Sequence, residues 1–183
     1  MVTHTPALRR VHVTGGPGSG KTTLTRRIAQ ILDAPLCDLD VLLIEVGDDI
    51  ARLVADGRAA DISRQEAWVS EGVYFGWTQP LLDRADLIVC LDTPWLVALC
   101  RIISRHVKAE VSRDNRFPGW RRFLRFLRWS YRYYHDGNPD TLDALGVPGT
   151  RSRRTRELER YREKLVMCRT QSDVDRLVRH QLR

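Results

Sequence analysis

Eight residues near the start of the chain, Gly15-Gly16-Pro17-Gly18-Ser19-Gly20-Lys21-Thr22, have the types and spacing that hold a polyphosphate. They satisfy the pattern G-x-x-x-x-G-K-[ST] at every required position. Glycines tolerate positive φ and let backbone N–H groups close around an anion at the positively polarised start of a helix. A lysine at position 21 can reach β- and γ-phosphates, and a hydroxyl at position 22 can ligate Mg²⁺. A glycine-rich turn can match such a pattern by chance, so context decides. Leu8 to Val13 is a short apolar run suited to a strand, and Leu24, Ile28, Ile31 and Leu32 follow at helical spacing. The strand–loop–helix order predicts a triphosphate-binding segment at Gly15, Gly16, Pro17, Gly18, Ser19, Gly20, Lys21, Thr22 and Thr23.

Two acids and two arginines extend that chemistry. Asp40 follows a very short strand at Leu36-Cys37, and Glu71 ends the run Trp68-Val69-Ser70-Glu71. In a parallel sheet both reach the carboxyl edge, where open α/β sheets bind ligands. Mg²⁺-dependent phosphoryl transfer needs an acid that holds metal waters and a group that orients the attacking hydroxyl. Glu71 suits the first role. Asp40 suits the second, with Asp38 as the weaker competitor, and Tyr74 stands beside them on the acceptor side. Either acid can equally be a helix cap. Arg101 and Arg105 lie at i, i+4 and share a helix face, where they either clamp phosphate or form a solvated surface.

The elements that must position these residues can be read in order. Strands are expected at Arg9 to Thr14, Leu36-Cys37, Trp68 to Gly72, Leu87 to Leu91 and Leu165 to Cys168. Pro35 ends the first helix near Asp33. Val41 to Val54 has helical stretches broken near Gly47, and Asp56-Gly57 marks a turn. Short helical spacing covers Gln79 to Arg84. Thr93 as N-cap and Pro94 at the first position open a helix reaching Lys108 or Val111. Asp114 to Gly119 reads as a loop or hinge, Asp136 to Gly149 as turn-rich, Arg151 to Glu163 as a charged helix, and Ser172 to Leu182 as the last helix. Strands alternating with helices argue a parallel, doubly wound α/β sheet.

Trp120 to His135 is strongly amphipathic. Trp120, Phe123, Leu124, Leu127, Tyr131 and Tyr134 form one face, and Arg121, Arg125, Arg128 and Arg132 another, with no acid from Arg116 to Tyr134. Closure over ATP phosphates, recognition of an anionic acceptor and nucleic-acid contact all fit that face. The interleaved Trp129, Tyr131, Tyr133 and Tyr134 suit base stacking or core packing equally.

At 183 residues with a formal charge of +7, the chain suits one domain, 1–183, with an anionic partner whose class the charge does not choose. No apolar run reaches membrane-spanning length and no signal-peptide core precedes the first strand, so no membrane and a cytoplasmic setting are expected. The four cysteines have no C-x-x-C pair, which favours reduced core thiols.

These residues resemble the adenylate-kinase-like P-loop kinases. The opening Gly15 to Leu24 with Pro35 and Asp38-Leu39-Asp40 is similar to the starts of adenylate, shikimate and gluconate kinases. Trp68-Val69-Ser70-Glu71-Gly72-Val73-Tyr74 is similar to a stretch of the family labelled DNA topology modulation proteins. Leu91-Asp92-Thr93-Pro94 with Arg101 and Arg105 resembles the adenylate-kinase segment leading into the lid. The resemblance implies a P-loop NTPase fold with a five-stranded parallel sheet, order 2-3-1-4-5, flanked by helices, and an arginine-bearing lid at about residues 112–150. It implies ATP and Mg²⁺ as cofactors, Glu71 as the acid that holds metal waters, Arg101 near adenine, Arg105 near the phosphates, and Asp40 as the acceptor-side acid. Nucleoside-monophosphate kinases carry an arginine where this chain has Val73-Tyr74-Phe75-Gly76. That favours a hydroxyl-bearing acceptor such as a nucleoside or sugar. A nucleotide-switched nucleic-acid-binding regulator is the alternative.

Overall fold

A computed structural model describes residues 8–45, 57–74, 76–112, 119–142 and 149–182. The apolar runs pair into one parallel sheet of β1 (Arg10–Gly15), β2 (Leu36–Asp38), β3 (Trp68–Glu71), β4 (Leu87–Leu91) and β5 (Leu165–Cys168). The spatial order is β2-β3-β1-β4-β5, with β1 at the centre, as expected. Val13 and Asp38 both pair in register with Glu71. That register brings three sequence-distant strand ends to one level at the carboxyl edge.

Parallel strands require crossovers, and helices supply them. They are α1 (Lys21–Leu32), α2 (Leu39–Glu45), α3 (Arg58–Arg64), α4 (Gln79–Arg84), α5 (Trp95–Val111), α6 (Trp120–His135), α7 (Arg151–Leu158) and α8 (Gln171–His180). The two-residue period of the strands divides the core between the faces of the sheet. Val11, Val13, Val69, Leu87, Val89 and Leu91 pack with Leu24 and Ile28 of α1 and with Leu177 and Val178 of α8. On the other face Trp68, Ile88 and Cys90 pack with Leu39, Leu43, Leu81, Leu82 and Leu158. All four cysteines are free, but only Cys90 and Cys168 are core thiols; Cys37 is half-buried and Cys100 is exposed on α5. Among the described residues, no helix is long and apolar enough to cross a membrane.

Several local expectations need correction. Pro94, not Thr93, is the N-cap of α5, and no side chain caps that helix. The charged helix from Arg151 stops at Leu158 and tightens into a 3₁₀ segment, Glu159–Lys164, because Tyr161 leaves helical geometry. Its hydroxyl donates to Asp83 at 2.6 Å. Helix α3 has no counterpart in the sequence reading, since Arg58–Arg64 is polar and only Ala59 and Ser63 are buried. In α6 the buried residues are Ser130, Tyr133 and Tyr134, while Trp120, Leu124 and Tyr131 are exposed. The packed line lies roughly a quarter turn from the apolar face drawn on spacing. The expected break near Gly47, the loop from Asp114, Phe75 and the turns between Leu142 and Gly149 lie outside the described residues.

One buried carboxylate ties β4 to the second half of the chain. Asp92, 5 % exposed, accepts from Arg151 Nε at 2.9 Å and Nη2 at 2.7 Å, and from Arg154 Nη2 at 2.5 Å. Arg169 Nε adds a contact at 3.3 Å. Burial raises the Asp92 carboxyl's pKa, and the Arg151 hydrogen bonds with the Arg154 and Arg151 charges more than reverse that, leaving it below the ordinary carboxylate value. Arg154 is itself 1 % exposed, so it is the partner that matters; the exposed Arg169 adds little. Removing one member of a buried pair strands the other charge. Asp92→Asn is expected to lower unfolding free energy by about 3 kcal/mol or more in denaturant titration. A loss below 1 kcal/mol would remove this pair from the fold's main supports.

Candidate active site

The loop between β1 and α1 is held by its surroundings. Gly18 and Gly20 have φ of +71° and +97°, a region that favours glycine. A Cβ at Gly15 would meet Ser19 Oγ at 2.7 Å and the Leu91 carbonyl at 2.8 Å. The loop's carbonyls are occupied in turn. Lys21 Nζ donates to the Gly15 and Gly16 oxygens at 3.0 and 3.3 Å. Tyr134 Oη donates to the Pro17 oxygen at 2.9 Å. Arg101 Nη1 and Thr93 Oγ1 both donate to the Ser19 oxygen, at 2.9 and 3.3 Å.

At the head of α1, the Thr22 hydroxyl donates to Glu71 Oε2 at 3.1 Å. Glu71 is 3 % exposed, and its Oε1 has no hydrogen-bond partner. Burial and the nearby Asp38 charge push its pKa up, against the charge of Lys21 and the Thr22 hydrogen bond. Lys21 is shifted down by burial, with Asp40 and Glu71 opposing. Beneath the loop, His12 on β1 is fully buried with Nδ1 2.9 Å from Ser70 Oγ. Burial and the Lys21 charge lower its pKa to about 4, so the imidazole is neutral at pH 7.

Asp40 sits in the first turn of α2, exposed on the rim, and accepts from the Tyr74 hydroxyl at 2.8 Å rather than from Lys21. Asp38 turns its Oδ1 to the backbone N–H groups of Asp40 and Val41, at 2.9 and 3.3 Å. It therefore caps α2. Gly72 follows Glu71 where a Cβ would lie 2.9 Å from Leu39 Cδ1, so α2 packs tightly on the end of β3.

Lys21, Thr22, Asp38, Asp40 and Tyr74 open onto one cleft of about 1650 Å³. The loop, Thr23, Asp38, Asp40 and Tyr74 line one part of it. Arg101 and Arg105 from α5, and Arg122, Arg125, Phe126 and Trp129 from α6, line another. Thr22 and Glu71 are joined directly, and Lys21 is near enough for the Glu71 charge to act on it. Arg101 touches the loop backbone, and Arg105 lies close enough for its charge to act on Lys21. Thr93, Arg122 and Tyr134 have a place at the site that the sequence reading did not give them. Arg122 was legible as part of the acid-free stretch. Tyr134 was not, since its partner lies 117 positions away.

The residues fit a Mg²⁺–nucleotide. Buried Glu71 Oε1 lacks a partner, Thr22 offers a hydroxyl beside it, and a Cβ at Gly15 would meet Ser19 Oγ inside the loop. Among the described residues, no cluster of histidine, cysteine and acids forms a closed metal site. A site completed by phosphate oxygens and water has no need of one.

No family model matches the chain. It is 43% identical over 61 residues to a shikimate kinase from Rhodococcus jostii (strain RHA1). That stretch covers 32% of this chain and 36% of the relative, so the match spans about a third of the relative's length. Among solved structures, it is similar to a shikimate kinase from Bacteroides thetaiotaomicron at 19% identity and a TM-score of 0.49, covering 94% of this chain and 98% of that one. It is also similar to a gluconokinase from Sinorhizobium meliloti 1021 at 15% identity and a TM-score of 0.48, covering 93% and 87%.

The raised pKa of Glu71 has a thermodynamic consequence. A carboxyl whose folded pKa exceeds its unfolded one stabilises the fold fully below the unfolded value, near 4.5, and loses that contribution as pH rises through the folded value. Without nucleotide or metal, Glu71→Gln is therefore expected to melt above the wild type at pH 8, with the gap closing toward pH 4.5. Differential scanning calorimetry across that range reads the sign. A variant that melts lower at pH 8 would contradict it.

Proposed function

We propose that this chain is an ATP- and Mg²⁺-dependent kinase that phosphorylates a small hydroxyl-bearing acceptor, such as a nucleoside or sugar. The observation that carries the reading is the hydrogen bond from Thr22 to the buried Glu71, with Lys21 beside them on the loop carbonyls at the end of a glycine-rich loop. The 61-residue likeness to a shikimate kinase supports the same class of reaction.

The roles follow from position and charge. Gly15 to Thr23 hold the phosphates, with Lys21 leaving its loop carbonyls for β- and γ-oxygens. Thr22, and Glu71 through water, would hold Mg²⁺, which draws charge from the phosphate oxygens. Arg101 keeps the loop in shape, and Arg105 faces the transferring group, with Arg122 and Arg125 as candidates to join it. Residues 112–150 serve as the lid. Asp40, steadied by Tyr74, orients the acceptor hydroxyl or anchors the acceptor. Two acids and a tyrosine on that side, without an arginine beside Tyr74, favour a neutral acceptor over a monophosphate.

A second reading keeps nucleotide binding but makes it a switch for nucleic-acid binding. It is favoured by Arg121, Arg128 and Arg132 of α6, which are exposed and form no ion pair with an acid among the described residues. It requires duplex affinity that falls steeply with salt.

The discriminating experiment is a screen of nucleosides, nucleoside monophosphates, sugars, gluconate and shikimate for acceptor-stimulated ADP release. Lys21→Ala is expected to fold normally and to lose about 10²- to 10³-fold in turnover. A Lys21→Ala protein as active as wild type would refute the assignment. ADP release that no acceptor stimulates would replace the kinase with a simple ATPase.

A further inference from the structure

We infer that Tyr134, backed by Tyr133, is a positioning residue for the phosphate loop, so that the end of α6 sets nucleotide affinity without touching the nucleotide. The inference rests on the reading of that loop as an ATP site.

Three observations converge on it. The Tyr134 hydroxyl donates to the Pro17 carbonyl at 2.9 Å in a buried contact. A Cβ placed on Gly16 would lie 2.6 Å from both Tyr133 Cε1 and Tyr134 Oη. Gly16 is also an optional position of the P-loop pattern, and it is not among the positive-φ glycines. Neither the phosphate pattern nor backbone conformation demands glycine there. The two tyrosines do.

The tyrosines are themselves fixed. Tyr133 Oη accepts from Arg154 Nη1 at 3.1 Å, and Arg154 is held by Asp92. Tyr134 packs against Trp95 of α5, with ring centroids 5.3 Å apart, and edge-on to Tyr133 at 5.2 Å. Tyr133, Tyr134 and Ala98 form a small core of their own beside the loop. A helix end that had to move freely would not be built this way. Within the 112–150 segment proposed as the lid, the last turns of α6 are therefore the fixed end, packed as a wall for the loop.

The test is calorimetric titration of Mg²⁺–ATP into the full chain. Tyr134→Phe keeps the ring and removes one hydrogen bond, and is expected to weaken binding roughly two- to tenfold. Gly16→Ala and Tyr134→Ala should each weaken it. Because they contest the same space, the double variant should bind at least about threefold better than the product of the two single losses. Melting curves without nucleotide accompany each titration. A Tyr134→Phe protein that melts lower but binds ATP as wild type does would reduce the contact to a structural one and overturn the inference, as would strictly multiplicative losses. If either alanine variant fails to fold, Tyr134→Phe decides alone. Lys21→Ala separates the levels: if it binds ATP unchanged, the site reading fails; if it loses ATP while Tyr134→Phe does not, only the role of Tyr134 fails.

Discussion

The constraint on which most of this structure depends is a single carboxylate at the end of β4. Asp92 is out of water, and a lone ion there is tolerable only with partners. Those partners come from α7 and from the segment after β5, so satisfying one charge gathers three parts of the chain. Through Arg154 the arrangement continues to Tyr133, and through its neighbour Tyr134 to the loop itself. The fold can be described as a sheet with helices on both faces. Its carboxyl edge is better described as a charge network that ends on a backbone carbonyl.

The same edge separates charge by sign. Asp38, Asp40 and Glu71 stand at the ends of β2 and β3, while Arg101, Arg105, Arg122 and Arg125 approach from α5 and α6. Lys21 lies between the two groups, and the acids and arginines act on it in opposite directions. His12 beneath the loop stays neutral and adds nothing to either side. Such a gradient suits transfer of an anionic group from a cation-lined pocket to a hydroxyl held among acids and a tyrosine.

What the sequence disclosed follows the range of the physics involved. Gly15 to Thr22, the end of the first helix before Pro35 and the all-apolar β4 are local signals, and each lies within a residue of where it was expected. The level of Glu71 with Asp38 followed from parallel pairing. Contacts between distant segments were not legible. The partners of Asp92 lie 59, 62 and 77 positions away, and nothing near Asp92 names them. Spacing on α6 showed an amphipathic helix, but its rotation was set by where two tyrosines found room against the loop. Thr93 looked like a cap because threonine before proline usually is one; its hydroxyl instead serves Ser19.

The loop's carbonyls suggest one more property. The oxygens of Gly16, Pro17, Ser19 and Gly20 each accept a hydrogen bond from a group other than Lys21 before any ligand arrives. A flexible glycine-rich turn would have to give up conformational freedom at each of those residues on meeting a phosphate chain. Here that freedom is already gone. The protein bears the ordering cost when it folds, and the anion meets a preorganised cavity in which binding free energy is not diverted into freezing the backbone.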